Sequence, residues 1–517
     1  MIYKLAAALT FLSGTNALVV GVMPTAPSSV VSSRGTDPRM AETRPLTKVV
    51  ATVGPASEEF DVLSKCVKAG LSVMRCNFSH ATSDEFFLRV GNLRKAPGGE
   101  LVSLMLDTKG PEIRMGGLKV CKESGNRKAK IELVKGNTIT LTNDPAYDGE
   151  SDEKMLYVGY EMLAQKLVVG TKVLLDDGLI SMVVTKNDGS TVECEIQNSS
   201  EIGERKGVNL PGVITGLPPL SEKDKSDIAF GIENDIDCVA ASFVRSAEGV
   251  ENIRAYIAEC HQKSCKDPNN TPMPLIISKV ETTEALDNLQ EIVDSSDGIM
   301  VARGDLGVEV DIWQVTTWQK EMVRMCVESG KPVIVATQIL ESMQKNPRPT
   351  RAEVSDVTNA VLEQADAVML SGESANGQYP DGAVSMQTNI ISWTEKWQRE
   401  QNEFPMYSVE PEALGDHYGI AQSAVVLAEG SDAGAIIVVE TGTGELTRAV
   451  AAVRPDVPVV SICSNLKVCR QLIIGRAIYP INAEGGDPVK LARESGYAPA
   501  DEAVVLIDAD GKMSLVA

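Results

Sequence analysis

Basic residues are scarce in this chain. Lys and Arg total 49 against 71 Asp and Glu, a net charge of −22. A surface that acidic repels phosphodiester backbones, so no nucleic-acid partner is expected, whereas small anions need only a local cationic pocket. Beyond the N-terminus no apolar run reaches the ~20 residues of a membrane span, and no stable membrane association is expected. The 10 cysteines lack paired spacing, and Cys66, Cys194, Cys238 and Cys463 sit in apolar segments. They read as buried thiols of a reducing compartment rather than a disulfide framework. Cys260, His261 and Cys265 have no second ligand pair and read as a solvated helix end. The phosphate-binding loop G-x-x-x-x-G-K-[ST] is missing, as are the H-R-D and D-F-G motifs. Gly442 and Gly444 alone do not make a dinucleotide fingerprint. Coiled coils, low-complexity tracts and internal repeats are absent too.

What is present is ordinary for a globular protein: 43% hydrophobic and 23% charged over 517 residues, enough for roughly three domains. Residues 1–45 stand apart. Lys4 precedes the apolar run from Leu5 to Leu12, small residues at Thr15 to Ala17 suit a cleavage point, and a Ser/Thr-rich, Arg-bearing stretch follows. That layout resembles the bipartite presequences of algae whose plastids lie within extra membranes, and a plastid location is expected. The alternative is the cytoplasm or another organelle reached through a signal peptide.

From Thr47 onward, short apolar β-branched runs alternate with amphipathic helical stretches, the pattern of parallel α/β architecture. Strands are predicted at 48–53, 72–76, 101–106, 237–241, 275–278, 298–302, 332–336 and 367–370. Eight continuous apolar runs suit a closed (β/α) barrel covered on both faces. Between the third and fourth, residues 115–215 alternate polar with apolar and carry Asp176-Asp177-Gly178 and Asn187-Asp188-Gly189 turns. This predicts an inserted all-β domain, read as a β-barrel, on one βα loop, where it would act as a lid. The barrel is therefore assigned to 46–114 and 216–385, and a C-terminal parallel α/β domain to 386–517.

Polar residues follow nearly every barrel run. Arg75, Asn77, Ser79 and His80 follow the second; Asp107, Thr108, Lys109, Glu112 and Arg114 the third. Lys279 and Glu281 follow the fifth, Arg303 to Gly307 the sixth, Thr337 and Gln338 the seventh, and Ser371 to Glu373 the eighth. In a barrel these converge on one mouth. Glu281 and Asp305 suit a shared Mg²⁺ or Mn²⁺, or else ion pairs with Lys279 and Arg303. Lys279, after an apolar run, is costly unless a negative group neutralises it, and it suits a transferring phosphoryl group or an enolate. Arg75 offers a planar fork for the same phosphate. Residues Gly304 to Gly307 read as a helix start facing a carboxylate or as a plain loop. Thr337 reads as a proton donor or as a helix cap. Asn77, Ser79, Asp107 and Thr108 form an oxygen-rich set with one carboxylate, better suited to a monovalent cation. Any nucleotide must be held by the mouth and its lid.

From about Thr47 to Val516 the chain resembles the pyruvate kinase family. The resemblance is carried by Asn77 to His80, Leu106 to Arg114, Lys206 to Gly212, Asp297 to Gly307, Ala336 to Gln338, Leu340 to Met343 and Asn346 to Glu353. It implies phosphoryl transfer from phosphoenolpyruvate to ADP, giving pyruvate and ATP, with Mg²⁺ (or Mn²⁺) and K⁺, in a homotetramer. It implies that Glu281 and Asp305 bind the divalent ion and that Lys279 stabilises the transferring phosphoryl group. By the same resemblance Arg75 holds the substrate phosphate, and Gly304, Asp305 and Thr337 meet its carboxylate. The K⁺ ligands would be Asn77, Ser79, Asp107 and Thr108. The nucleotide would meet Asn77, Phe78, Ser79, His80, Arg114 and Lys206. Glu112 is similar to the K⁺-dependent branch, whose K⁺-independent relatives carry Lys. The pattern departs at Glu445 and Leu446, in the loop that binds a sugar-phosphate activator in many relatives, and a late Trp-Arg-Pro-Gly loop is absent. Activation by fructose 1,6-bisphosphate is therefore not expected. A lyase of the phosphoenolpyruvate group would need neither Lys206 on a lid nor the K⁺ set. A non-catalytic paralogue would have lost at least one of Arg75, Lys279, Glu281, Asp305 and Thr337, and none is lost.

Overall fold

A computed structural model describes residues 44–79, 81–401 and 405–517. The leader reading falls on residues 1–43 and the nucleotide candidate on His80, both outside the described residues. Eight parallel strands close a barrel: Lys48–Thr52, Leu71–Asn77, Ser103–Asp107, Cys238–Ala241, Leu275–Val280, Gly298–Ala302, Val333–Ala336 and Ala367–Leu370. They follow in sequence order, and the eighth pairs with the first through Lys48 opposite Ala367. Their continuous apolar runs exist because both faces are covered. Val50, Val73, Met105, Ile277, Met300, Ile334 and Met369 fill the lumen. Their neighbours Val49, Leu104, Ile276, Ile299, Val333 and Val368 pack outward under the helices. The barrel is thus a packed core, and the chemistry is confined to its ends.

The inserted domain has its own core, including Ile139, Leu141, Val173, Met182, Val192 and Cys194. Its strands form a six-stranded sheet and a separate two-stranded sheet rather than one closed barrel, and two short α-helices and one 3-10 turn accompany them. The tight turn at Asp188 and Gly189 forms because the Asp188 carboxylate accepts the N–H groups of Ser190 and Thr191, at 2.8 and 2.7 Å, while Gly189 takes a φ of +89°. At Asp176 and Asp177, φ is +50° and +55°, the left-handed region that Asp tolerates better than most side chains.

The helix Pro380–Gln401 runs straight through the boundary drawn at 385. It is the barrel's eighth helix: Gln387 Nε2 donates to Val368 O at 2.7 Å, and Thr388 Oγ1 to Ala69 O at 2.7 Å. The change in residue pattern that suggested a new domain is its exposed side, where Trp393 lies in solvent. Beyond it a five-stranded sheet runs in the order Ile478–Asn482, Val459–Cys463, Ala435–Glu440, Val504–Ile507, Met513–Val516. The last strand is antiparallel, because the Asp508 to Gly511 segment is a hairpin turn.

All 10 cysteines are free, and all but Cys265 are buried. Cys260 and His261 do close a helix but are buried rather than solvated. The His261 ring bonds Thr271 O at 3.0 Å, and among the described residues no cluster of three or more His, Cys, Asp or Glu side chains is placed to hold a metal ion.

Candidate active site

Closure of the barrel brings the polar strand ends together. Register places Asn77 directly beside Asp107, and Ala302 beside Ala336, so the residues that follow each strand meet across the mouth. At its centre lies a buried charge network. Arg75 Nε donates to Asp107 Oδ2 at 2.6 Å and its Nη1 to Thr52 Oγ1 at 2.8 Å. Lys279 Nζ lies 3.2 Å from Asp107 Oδ1, 2.7 Å from Ser242 Oγ and 2.9 Å from Glu281 Oε1. Burial alone would lower the Lys279 ammonium, but Asp107 and Glu281 outweigh it and hold the group above the usual lysine range. Burial likewise opposes ionisation of Asp107, and Arg75 with Lys279 overcomes it, keeping the carboxyl below its ordinary range.

Glu281 is different. It is fully buried, and although Lys279 and the Phe243 N–H favour its charge, burial and the nearby Asp305 carboxylate push it up. Its Oε2 accepts the Phe243 N–H at 2.6 Å, whereas Oε1 lies near Lys279 in a direction that makes no hydrogen bond. Arg303 does not pair with Asp305: its guanidinium forks onto Asp356 at 2.7 and 2.7 Å and also holds Thr337 O. A buried Glu281 carboxylate with an under-used oxygen, beside the half-buried Asp305 carboxylate that helps to push it up, forms a donor set that fits a hard divalent ion.

Residues Arg303–Glu309 form a helix with no side-chain cap at its start. Gly304 N–H donates to Thr337 Oγ1 at 2.8 Å, and that hydroxyl donates onward to Ala336 O at 2.7 Å. Thr337 therefore faces the mouth rather than capping the helical turn after it. Its φ is +70° and that of Gln338 +52°, an unusual and strained conformation for a β-branched residue. Asn77 Oδ1 accepts Ser79 N–H at 3.0 Å, and Thr108 O accepts Ser242 Oγ at 2.6 Å. One carboxylate, already facing two cations, with neutral oxygens beside it is a weak-field set suited to a large monovalent ion.

The nucleotide candidates are partly gathered. Arg114 and Lys206 are half-exposed at the lid. Arg114 reaches Glu112 at 2.7 Å and Arg205 O at 2.9 Å, and Lys206 pairs with Asp176 at 3.0 Å. Phe78 turns its ring into the core, 5.7 Å from Phe86 and 6.0 Å from Phe230, while its N–H donates to Asp107 O at 3.0 Å and its carbonyl accepts from Lys223 Nζ at 2.9 Å.

Sequence reasoning passed over several participants. Ser242 and Phe243 end the fourth strand, and the Ser-Phe that follows its apolar run was the available signal. Thr52 was read only as strand. Asp177 was read as a turn, yet burial and then Asp305 push its carboxyl up, so the lid turn bears on the mouth. Glu309 is raised to about 7 by burial, with Asp305 adding to it, and accepts the lid's Asn209 Nδ2 at 3.3 Å. Nothing in its own segment marked Glu309 as the lid's contact.

Residues 44–384 match the family model "Pyruvate kinase, barrel domain", and residues 419–514 match "Pyruvate kinase, alpha/beta domain". Among curated relatives, pyruvate kinase 2 of Trypanosoma brucei brucei is 37% identical over 480 residues, covering 90% of this chain and 92% of the relative. A probable cytosolic pyruvate kinase of Arabidopsis thaliana is 41% identical over 461 residues, covering 85% of this chain and 88% of the relative. A crystal structure of a pyruvate kinase from Cryptosporidium parvum superposes with a TM-score of 0.81 at 34% identity, covering 92% of this chain and 96% of that one.

Proposed function

This chain belongs to the pyruvate kinase family and transfers the phosphoryl group of phosphoenolpyruvate to ADP, the last step of glycolysis; we propose that Lys279, Arg75 and Thr337 carry the chemistry. The observation that supports this assignment is the single network joining Arg75, Asp107, Lys279 and Glu281 at the mouth. Arg75 and Lys279 both pair with Asp107, which is shared between them, so both are pre-oriented before substrate arrives. They spread the negative charge of the phosphoryl group as it leaves, and being preorganised they need no reorientation at that moment. Gly304, Asp305 and Thr337 receive the substrate carboxylate, and the Thr337 hydroxyl, or a water it orders, passes a proton to the enolate carbon. The lid brings Lys206 and Arg114 to the nucleotide phosphates beside the Asn77, Phe78, Ser79 and His80 backbone, and it excludes water.

Glu281 and Asp305 are the residues that would hold Mg²⁺ or Mn²⁺. Such an ion supplies Lewis-acid charge to phosphoryl and carboxylate oxygens and relieves the repulsion between the two carboxylates. Asn77, Ser79, Asp107 and Thr108 would hold K⁺. The reading also includes a homotetramer, checked by light scattering for a mass four times that of the chain, and plastid delivery by residues 1–45, checked by fusing that segment to a fluorescent protein. Weak or different effector control is expected, because the exposed Glu445 would repel a phosphate at its loop; strong activation in a fructose 1,6-bisphosphate titration contradicts this.

The direct test gives protein beginning near Met40 phosphoenolpyruvate and ADP and follows pyruvate release with Mg²⁺ and K⁺ omitted in turn. Turnover that requires both ions is expected. Full activity without K⁺ removes the monovalent site, and no turnover in folded, substrate-binding protein moves the chain to a non-catalytic role.

A further inference from the structure

The barrel's opposite end meets the C-terminal domain across a cavity of about 310 Å³, the lower end of the range for small-molecule sites. Its walls come from Leu275, Leu472 and Ile474 and from the inner side of the helix Glu445–Ala452. The charged groups around it are unevenly served. Asp366 is forked by Arg454 at 2.7 and 2.8 Å, and Asp297 is met by Arg254 at 3.1 Å. Glu445 is exposed, with the His417 ring 3.8 Å away. Two cations are left over. Lys331 Nζ reaches only carbonyls, those of Asp294 and Ser296, at 3.3 and 2.7 Å. The Arg448 side chain, largely shielded from water, has no hydrogen-bond or ion-pair partner among the described residues.

Burial lowers both cations from their ordinary ranges. At Arg448 this is only partly offset by Glu440, Glu445 and Asp297. At Lys331 the offset comes from Asp297 and Asp294, with Arg254 opposing it. Asp297 thus serves three cations and touches one. A guanidinium with no direct partner and an ammonium bonded only to carbonyls line one cavity with an apolar wall, and a negative head group would supply the contact that both lack.

We propose that this cavity binds a small organic anion, its phosphate or carboxylate between Arg448 and Lys331 and its body against Leu275, Leu472 and Ile474. The site is separate from the mouth, but its walls include the roots of catalytic strands. Leu275 begins the strand that carries Lys279, Asp297 precedes the strand that leads to Asp305, and Lys331 and Pro332 precede the strand that leads to Thr337.

The test is calorimetric titration of the whole protein with glycerol 3-phosphate and with glycerate, using glycerol as the neutral control. Wild type, Arg448→Met, Lys331→Met and Arg75→Met are compared, the last to remove the phosphate fork of the mouth. One binding event is expected to survive Arg75→Met and to weaken at least tenfold in Arg448→Met and in Lys331→Met. The arm that binds tells phosphate from carboxylate. Arg448 makes no bond to lose, so its variant is expected to fold and to keep the wild-type kcat and KM for phosphoenolpyruvate. The proposal is overturned if neither anion binds, if binding is unchanged in Arg448→Met, or if Arg75→Met removes all of it. None of these outcomes depends on phosphoryl transfer.

Discussion

The two ends of the barrel both bury charge, but they settle it differently. At the base, Asp366 accepts from Arg454 twice and from the N–H groups of Arg476 and Val333, at 2.7, 2.8, 2.9 and 3.1 Å. Asp237 likewise takes Arg470 Nε at 2.8 Å and the Leu104 N–H at 2.7 Å. These carboxylates have their lone pairs filled and fasten the C-terminal domain to the strand roots. At the mouth, Glu281 keeps an oxygen without a hydrogen bond, and Thr337 sits at positive φ. A saturated network holds a fold together; an unfinished one is where a ligand can complete the pairing. Unfilled donors remain at the base as well, at Arg454 Nε and Arg94 Nη2, and the Arg448 cavity is the place there with room for a ligand.

The largest effect expected from breaking this contrast is on stability at the base. Asp366→Ala leaves Arg454 buried and unpaired and should cost ~3–5 kcal/mol, read from denaturant midpoints, while KM in the folded fraction stays near wild type. An equally large change in KM would erase the distinction between the ends. Next is Lys279→Met at the mouth, where kcat should fall at least ~10²–10³-fold with a smaller loss of stability than Asp366→Ala. Thr337→Gly sharpens the contrast further: relief of backbone strain should leave stability unchanged or raise it by up to about 1 kcal/mol, while kcat drops about 10²-fold. A variant that loses stability along with activity would show that the strain is not stored there.

The smallest effect concerns pH. Glu309, raised to about 7 in the folded protein, binds its proton more tightly there than in the unfolded chain. Its contribution to stability is full below the unfolded carboxyl pKa of ~4.3 and is lost as pH rises toward 7. Glu309→Gln should flatten that slope, by on the order of a few °C in melting temperature between pH 5 and 8. An unchanged slope assigns it to other groups.

Much of this was readable in advance. Each of the eight barrel strands was found within a few residues, because continuous apolar runs are local and strands buried on both faces need them. The polar residues beyond those runs, Arg75, Lys279, Glu281, Asp305 and Thr337, were found for the same reason. What escaped had no local signature. Ser242 and Phe243 matter because they meet Lys279 and Glu281, 37 and 38 positions away. The eighth helix crossed a boundary because its exposed tryptophans looked like the start of something new. The terminal strand was missed because a four-residue turn gives little room for a pattern.

By itself, then, the sequence determined the order of the elements, the closed barrel with its insertion, and the residue types delivered to each strand end. Those follow from side-chain periodicity and turn chemistry among near neighbours. Only the tertiary structure decided which charges find partners: Asp107 shared by Arg75 and Lys279, Arg303 spent on Asp356, Glu309 beneath the lid, and Arg448 left alone. Those outcomes depend on distances set when segments far apart in the chain pack together, and on burial, which makes each missing partner costly.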